Sequence, residues 1–387
     1  MVSYGSKRGL RYDFFLITVI LLLTLLGLVT LFSASYLFTL NQPSRFPRGG
    51  LTLLSGNLTA LIIMGAGFPI LVLMKFEWLK KGGLVVFMVL LTLALNVLPL
   101  LKPFQGNGYA MRWIVLRESI TFQPSELIKV VLPLYLAYIL DKNNDKLGSV
   151  FYGPLPPFIV TLLFCVLVFL QNNLSDVFLI ALISLAVCFA AGINMRPLFI
   201  ILAVISVTAY MLILSDKEGH WYQRILSFIS NEASPPELKT QIDFSLEAIK
   251  SGGFWGKGVG QGTLKIRMPE VHGDFIFASY VEESGFVGVL TYLALFGVFA
   301  GLSYQIAWRS GSRFARLLAF GLVTPITAQT LLNIAVVARI VPTTGIPLPF
   351  VSSGGSSLLV TLMSAALLVN IARHHINSEI SGGNNAG

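Results

Sequence analysis

Charge is what this sequence has least of. Asp, Glu, Lys and Arg make up 12% of its 387 residues, about half the share of an ordinary soluble domain. Cysteine is nearly missing too. Cys165 and Cys188 are the only two, and both lie inside apolar runs, which excludes a disulfide framework and a cysteine-based zinc site. The local signatures of soluble catalysis are absent as well. The chain has no Ser-x-x-Lys, no G-x-S-x-G and no H-E-x-x-H, so serine acyl transfer and zinc hydrolysis lack their parts. No glycine-rich run ends in Lys followed by Ser or Thr, and the run Gly252 to Gly262 fails the dinucleotide fingerprint at Gln261, which argues against a soluble-type nucleotide fold. No internal repeat is visible, removing one pointer to an inverted-repeat transporter.

What is abundant is hydrocarbon. Hydrophobic residues make up 55% of the chain and mean hydropathy is +0.78. Ten apolar blocks, at 14–39, 54–74, 83–101, 124–140, 155–171, 174–193, 197–215, 275–305, 315–337 and 346–372, are each long enough to cross roughly 30 Å of hydrocarbon as a helix. The expected fold is an all-α polytopic membrane protein of about ten helices, a single domain over 1–387. The first block is too long for a cleaved signal peptide and reads as a retained anchor.

The net charge of +9 would suggest nucleic acid in a soluble protein. Here most basic residues flank apolar blocks, so the excess reads as topology and no nucleic-acid partner is expected. With the first block running outward, 13 Lys and Arg fall on inner segments and 6 on short outer ones, which puts both termini in the cytoplasm. Parity then places the long segment 216–274, between the seventh and eighth blocks, outside. It is expected to be a loop with short helices, too small for its own core.

Ionisable groups at membrane depth are costly and rare unless paired, wet or used, and four places stand out. Pro124 reads as the first residue of a helix with Glu126 in its first turn, and Glu126 and Lys129, three apart, share a face and can pair. That pair is either a local ion pair or one side of a polar cavity. Asp274 sits where polar loop becomes apolar helix, with Glu282 and Glu283 two turns on. It is either a helix cap or a base at the water–lipid boundary. Asn333 to Ser357 carries prolines and glycines at a membrane edge, where irregular backbone survives only if buried in protein or lining a cavity. Gln171-Asn172-Asn173-Leu174-Ser175-Asp176 is a tight polar connection in which only Asp176 is unusual.

Together these stretches resemble the SEDS family, the polytopic cell-wall polymerases that include FtsW, RodA and SpoVE. The matching pieces are Arg112-Trp113-Ile114, Gln123-Pro124-Ser125-Glu126-Leu127 with Lys129, Tyr222-Gln223-Arg224, Ser251-Gly252-Gly253 with Gly256-Lys257-Gly258, His272-Gly273-Asp274-Phe275-Ile276-Phe277 with Glu282-Glu283, and Thr344-Gly345-Ile346-Pro347-Leu348-Pro349-Phe350 with Ser352 and Gly354-Gly355-Ser356-Ser357. The family usually has proline at position 172, Thr at 273 and Tyr at 353, where this chain has Asn172, Gly273 and Ser353.

The resemblance implies an inverting glycosyltransferase in the bacterial cytoplasmic membrane that polymerises lipid II into peptidoglycan strands at the outer face. A sugar hydroxyl displaces lipid pyrophosphate, and Asp274 is the implied general base. Arg112, Lys129 and Arg224 would meet the diphosphate, with Glu126 holding Lys129, and His272 and Ser352 stand at substrate-contacting positions. A divalent cation, Mg or Mn, is another way to supply that positive charge, and no organic cofactor is implied. The implied partner is a class B penicillin-binding protein, with other divisome or elongasome membrane proteins around it. The Pro342-Thr343-Thr344-Gly345 stretch tilts the reading toward cell division. Elongation, a lipid-precursor flippase or transporter, and a structural scaffold are the alternatives.

Overall fold

The computed structural model describes residues 12–40, 51–101, 112–117, 120–149, 151–193, 228, 236–264 and 271–376. Its helices are α1 (Tyr12–Leu40), α2 (Leu51–Leu73), α3 (Gly82–Val97), α4 (Ser125–Lys142), α5 (Leu155–Leu170), α6 (Leu174–Ala190), α7 (Pro236–Gly252), α8 (Ile276–Arg309), α9 (Arg313–Val337) and α10 (Gly355–Ile371). Six of the described helices are long and apolar enough to cross a membrane, and α5 and α6 are shorter apolar ones. The expected span at 197–215 lies outside the described residues; every other expected span falls on one of these helices.

Large apolar side chains point outward, among them Ile62 at 77% exposure, Ile70 at 66% and Leu90 at 60%. In water that arrangement would be costly. Against lipid it costs nothing, and the interior is then free to take the polar side chains that hydrocarbon rejects. Asn57, Asn96, Gln329, Asn333 and Asn370 are all buried. The centre is α10, 83% buried in its span against 22% for α2. Around it α2, α4 and α9 pack, with α6 against α4 and α9, and α1 against α8. At the α2–α10 crossing a Cβ on Gly355 would come within 2.5 Å of the Gly56 carbonyl oxygen, so that approach is closed to any larger residue.

Three features depart from the sequence expectation. The last span starts at Gly355 and not at 346. Pro347 and Pro349 lack the N–H a helix needs and push the residues before them out of the helical region, and Phe350 stands at φ 67°. Residues 338–354 are instead a folded irregular segment with Ile346, Leu348, Phe350 and Val351 buried.

The outer segment holds the 17-residue helix α7 where only short helices were expected. Its Ile242, Ser245 and Ala248 are buried while Asp243, Glu247 and Lys250 are exposed. The Ser245 hydroxyl donates to the Val337 carbonyl at 2.8 Å, fixing α7 to the end of α9.

The third departure is a small antiparallel hairpin, β1 (Ile114–Arg117) and β2 (Ile120–Phe122), with Ile114 opposite Phe122. It sits over the start of α10. There the Gln123 N–H donates to Ser356 Oγ at 3.0 Å, and that hydroxyl reaches the Thr121 carbonyl at 3.4 Å.

At the inner side, the fully buried Asn370 of α10 sends its amide to the carbonyls of Leu71, Val72 and Met74 at 2.8, 3.1 and 2.8 Å. These are the orphan acceptors at the end of α2. Asn370→Leu leaves them without a donor, and we expect a loss of about 1–3 kcal/mol. A lowered unfolding midpoint of the detergent-solubilised protein checks this; an unchanged midpoint contradicts the capping role.

Candidate active site at the outer face

The first turn of α4 carries one cluster. Ser125 is the first helical residue, with Pro124 as the N-cap, so the helix begins one position later than the sequence suggested. Glu126 and Lys129 pair as their spacing predicts, Nζ to Oε1 at 2.6 Å. The third member is Asp176, whose Oδ1 lies 3.4 Å from the same ammonium. Its Oδ2 accepts from Ser125 Oγ at 2.8 Å, Gln123 Nε2 at 3.2 Å and Asn173 Nδ2 at 2.6 Å. Asn173 caps α6 by accepting from the Asp176 N–H. Asn172 stands at φ 57°, a backbone proline cannot adopt, which gives the departure at this position a conformational reason. The side chains of Glu126 and Lys129 are each 4% exposed. Beside them Pro325, Ile326, Gln329, Val360, Thr361 and Ser364 line a narrow cleft.

A second cluster holds the loop that carries Asp274. Asp274 is half-buried in the turn just before α8. The N-cap of that helix is Phe275, so the helix-cap reading of Asp274 does not describe this end. Three consecutive carbonyls of the turn are tied down. His272 O accepts from the Ser353 N–H at 2.8 Å, Gly273 O from Ser352 Oγ at 2.7 Å, and Asp274 O from Asn333 Nδ2 at 2.8 Å. Asn333 Nδ2 also donates to Ile346 O at 2.8 Å, and Ser352 Oγ accepts from the Leu348 N–H at 2.7 Å. Asn57 of α2 grips the same segment, donating to Ser352 O and accepting from the Gly354 N–H, both at 3.0 Å.

The two clusters are joined. Ser175, beside Asp176, donates to the Thr344 carbonyl, two residues before Ile346. Asp274, His272 and Ser352 therefore belong to one hydrogen-bonded assembly, and Glu126 and Lys129 to another that shares the first turn of α6 with it. Arg112 lies just before β1, half-buried, and its Nε has no hydrogen-bond partner among the described residues. Arg224 lies outside the described residues.

The glycine-rich run has a third task. α8 is broken at Gly285, φ 64° and ψ −162°, a conformation essentially reserved for glycine. Gly256 passes so close to the break that a Cβ on it would be 2.1 Å from the Glu283 carbonyl oxygen. The freed helix carbonyls of Glu282 and Glu283 accept from the Lys257 and Gly258 N–H groups at 3.0 and 2.9 Å. The two buried carboxylates face the same loop. Glu282 Oε1 accepts from Lys257 Nζ at 2.7 Å and the Thr263 N–H at 2.9 Å, and Glu283 accepts from Ser33 Oγ at 2.7 and 2.8 Å.

No group of three or more His, Cys, Asp or Glu that could hold a metal exists among the described residues. Between Glu126 and Asp176, where a cation would fit, the Lys129 ammonium already sits. Sequence reasoning also missed Asn57 and Asn333 as clamps. A lone Asn in the middle of an apolar block was the available signal.

The family model described as cell cycle protein, FTSW_RODA_SPOVE, matches residues 13–377. A relative from Trichlorobacter lovleyi named probable peptidoglycan glycosyltransferase FtsW is 32% identical, covering 94% of each chain. One of the same name from Bacillus subtilis is 32% identical, covering 95% of this chain and 92% of the relative. Among solved structures, one described as the structural coordination of polymerization and crosslinking by a peptidoglycan synthase complex aligns with a TM-score of 0.74 at 25% identity. It covers 95% of this chain and 99% of that one. The rod shape determining protein RodA of Thermus thermophilus aligns over the same shares, with a TM-score of 0.67 at 25% identity.

Gly285→Ala forces a side chain into a glycine-only conformation at a cost of about 1–3 kcal/mol, and its Cβ would stand 2.3 Å from the Gly256 nitrogen. We expect the 251–264 loop to lift from α8, measured as faster tryptic cleavage after Lys257 in the detergent-solubilised protein. Unchanged protection rules out the docking role given to the break.

Proposed function

The chain belongs to the FtsW/RodA/SpoVE family, and from that premise we propose that it polymerises lipid II with Asp274 as general base. It is a multi-pass membrane protein of the bacterial cytoplasmic membrane and a peptidoglycan glycosyltransferase. The substrate, the residue roles and the cellular setting are the proposal.

In the proposed reaction the 4-hydroxyl of the incoming sugar attacks an anomeric carbon, and lipid pyrophosphate leaves from the opposite side. A carboxylate on the attacked face takes the hydroxyl proton. Asp274 suits that task because it is half-buried at the outer end of α8 and its backbone is pinned on three successive carbonyls. A base held in place before substrate arrives loses little to reorganisation. This clamp is the observation that carries the reading.

The departing diphosphate needs positive charge. Arg112 offers a buried guanidinium Nε without a partner among the described residues, and Arg224 is the second candidate. Lys129 is turned toward Glu126 and Asp176, so its share is to hold the floor of the site. His272 and Ser352 act through the clamp, shaping the loop that presents Asp274.

The sequence has no Ser-x-x-Lys, so the strands it makes must be cross-linked by another protein, and we assign that role to a class B penicillin-binding protein. The solved complex that couples polymerization to crosslinking supports a partner of this kind. The curated relatives carrying the FtsW name support a septal role, with further divisome proteins around the pair.

Asp274→Asn tests the assignment. In purified chain with its transpeptidase, glycan synthesis from lipid II should fall by about 10²–10⁴-fold while partner binding and the unfolding midpoint stay unchanged. Synthesis retained by a folded Asp274→Asn complex refutes it. Lipid II crossing vesicle membranes without any polymer would favour a flippase instead. Depletion in cells should give filaments; round cells would move the protein to elongation.

A further inference from the structure

Glu126 and Lys129 lie on the same helix, three residues apart. Within α4 they stiffen its first turn, and the Glu126 carboxylate also bonds Ser357 of α10. Asp176 is what ties the pair to α6. It comes from α6, reaches the ammonium at 3.4 Å with one oxygen, and with the other gathers Ser125, Gln123 and Asn173. It occupies the first turn of α6, where the helix end favours an acidic group, and Asn173 fixes its approach from both the backbone and the side chain. Its neighbour Ser175 binds Thr344 O, on the segment whose Ile346 shares the Asn333 amide with the Asp274 carbonyl. The first turn of α6 is thus a junction between the α4 cluster under the Arg112 hairpin and the clamp on the base.

We propose that Asp176 is a positioning residue of the polymerisation reaction: by holding the Lys129 ammonium and the Gln123 and Ser125 side chains across the α4–α6 boundary, it sets the floor of the site against the loop that carries Asp274. This rests on the glycosyltransferase reading. Asp176 touches no reacting atom and acts on turnover through Lys129.

The test uses the full chain with its transpeptidase partner in detergent or nanodiscs, supplied with lipid II. Asp176→Asn should lower kcat at least tenfold, with KM for lipid II within twofold and the unfolding midpoint unchanged. Asp176→Glu, which restores a carboxylate within reach of the ammonium, should recover kcat to within threefold of the parent. Placed on Lys129→Met, Asp176→Asn should cost less than a further twofold, because the group it positions is gone. Parental turnover in Asp176→Asn overturns the proposal. So does a lowered midpoint that Asp176→Glu corrects without restoring kcat, or a full tenfold loss added to Lys129→Met. The Asp274→Asn complex run alongside separates the two claims. If it polymerises normally while Asp176→Asn does not, the base assignment fails and the positioning role stands.

Discussion

The amide of Asn333 donates at once to the carbonyls of Asp274 and Ile346, and the outer face depends on that bond pair. Both acceptors belong to non-helical backbone, which at membrane depth persists only where protein supplies the missing donors. A side chain on α9 satisfies the turn before α8 and the segment before α10 together, so neither can move alone. Ser352 repeats the device between Gly273 and Leu348, and Asn57 anchors the result to α2. The carbonyls of His272, Gly273 and Asp274 each have a named donor, and buried Val271 and Phe275 pack the turn on either side.

The same rule explains the break in α8. Interrupting a helix frees carbonyls that lipid cannot satisfy, and the loop after α7 supplies N–H groups from Lys257 and Gly258. Only glycine at 256 and 285 lets the two backbones come that close. Glu282 and Glu283, which read from sequence as a second acidic element near Asp274, are used up in holding this loop, with Ser33 of α1 closing the far side. Polar residues inside this membrane protein thus serve two distinct ends, support of irregular backbone and chemistry, and spacing alone does not separate them.

That limit sets what the sequence could and could not disclose. Helix positions were legible because hydrocarbon demands long apolar runs, and the Glu126–Lys129 pair because three residues make one helical face. The bonds from α2 to the segment before α10, and from α4 to α6, were not, since they join Asn57 or Asp176 to groups far away in sequence, with no local pattern to announce them. The start of α10 was misplaced because apolar residues 346–351 satisfy hydropathy while Pro347 and Pro349 forbid the helix. The hairpin was missed because its strands, Ile114–Arg117 and Ile120–Phe122, are too short for a period-two pattern to register.

Charge accounting then narrows where a diphosphate can bind. The α4 cluster pairs one basic side chain with two acidic ones, Lys129 with Glu126 and Asp176. The α8 cluster does the same, Lys257 with Glu282 beside Glu283. Both the buried Lys129 and the more exposed Lys257 are already ion-paired, and neither cluster presents surplus positive charge to an anion. Bringing a diphosphate to either would add like charge in a medium of low dielectric, where that repulsion is large. Among the described candidate diphosphate contacts, the half-buried Arg112 alone has a buried side-chain nitrogen, Nε, lacking a partner. The proposed leaving-group contact is therefore assigned to Arg112, on the hairpin side.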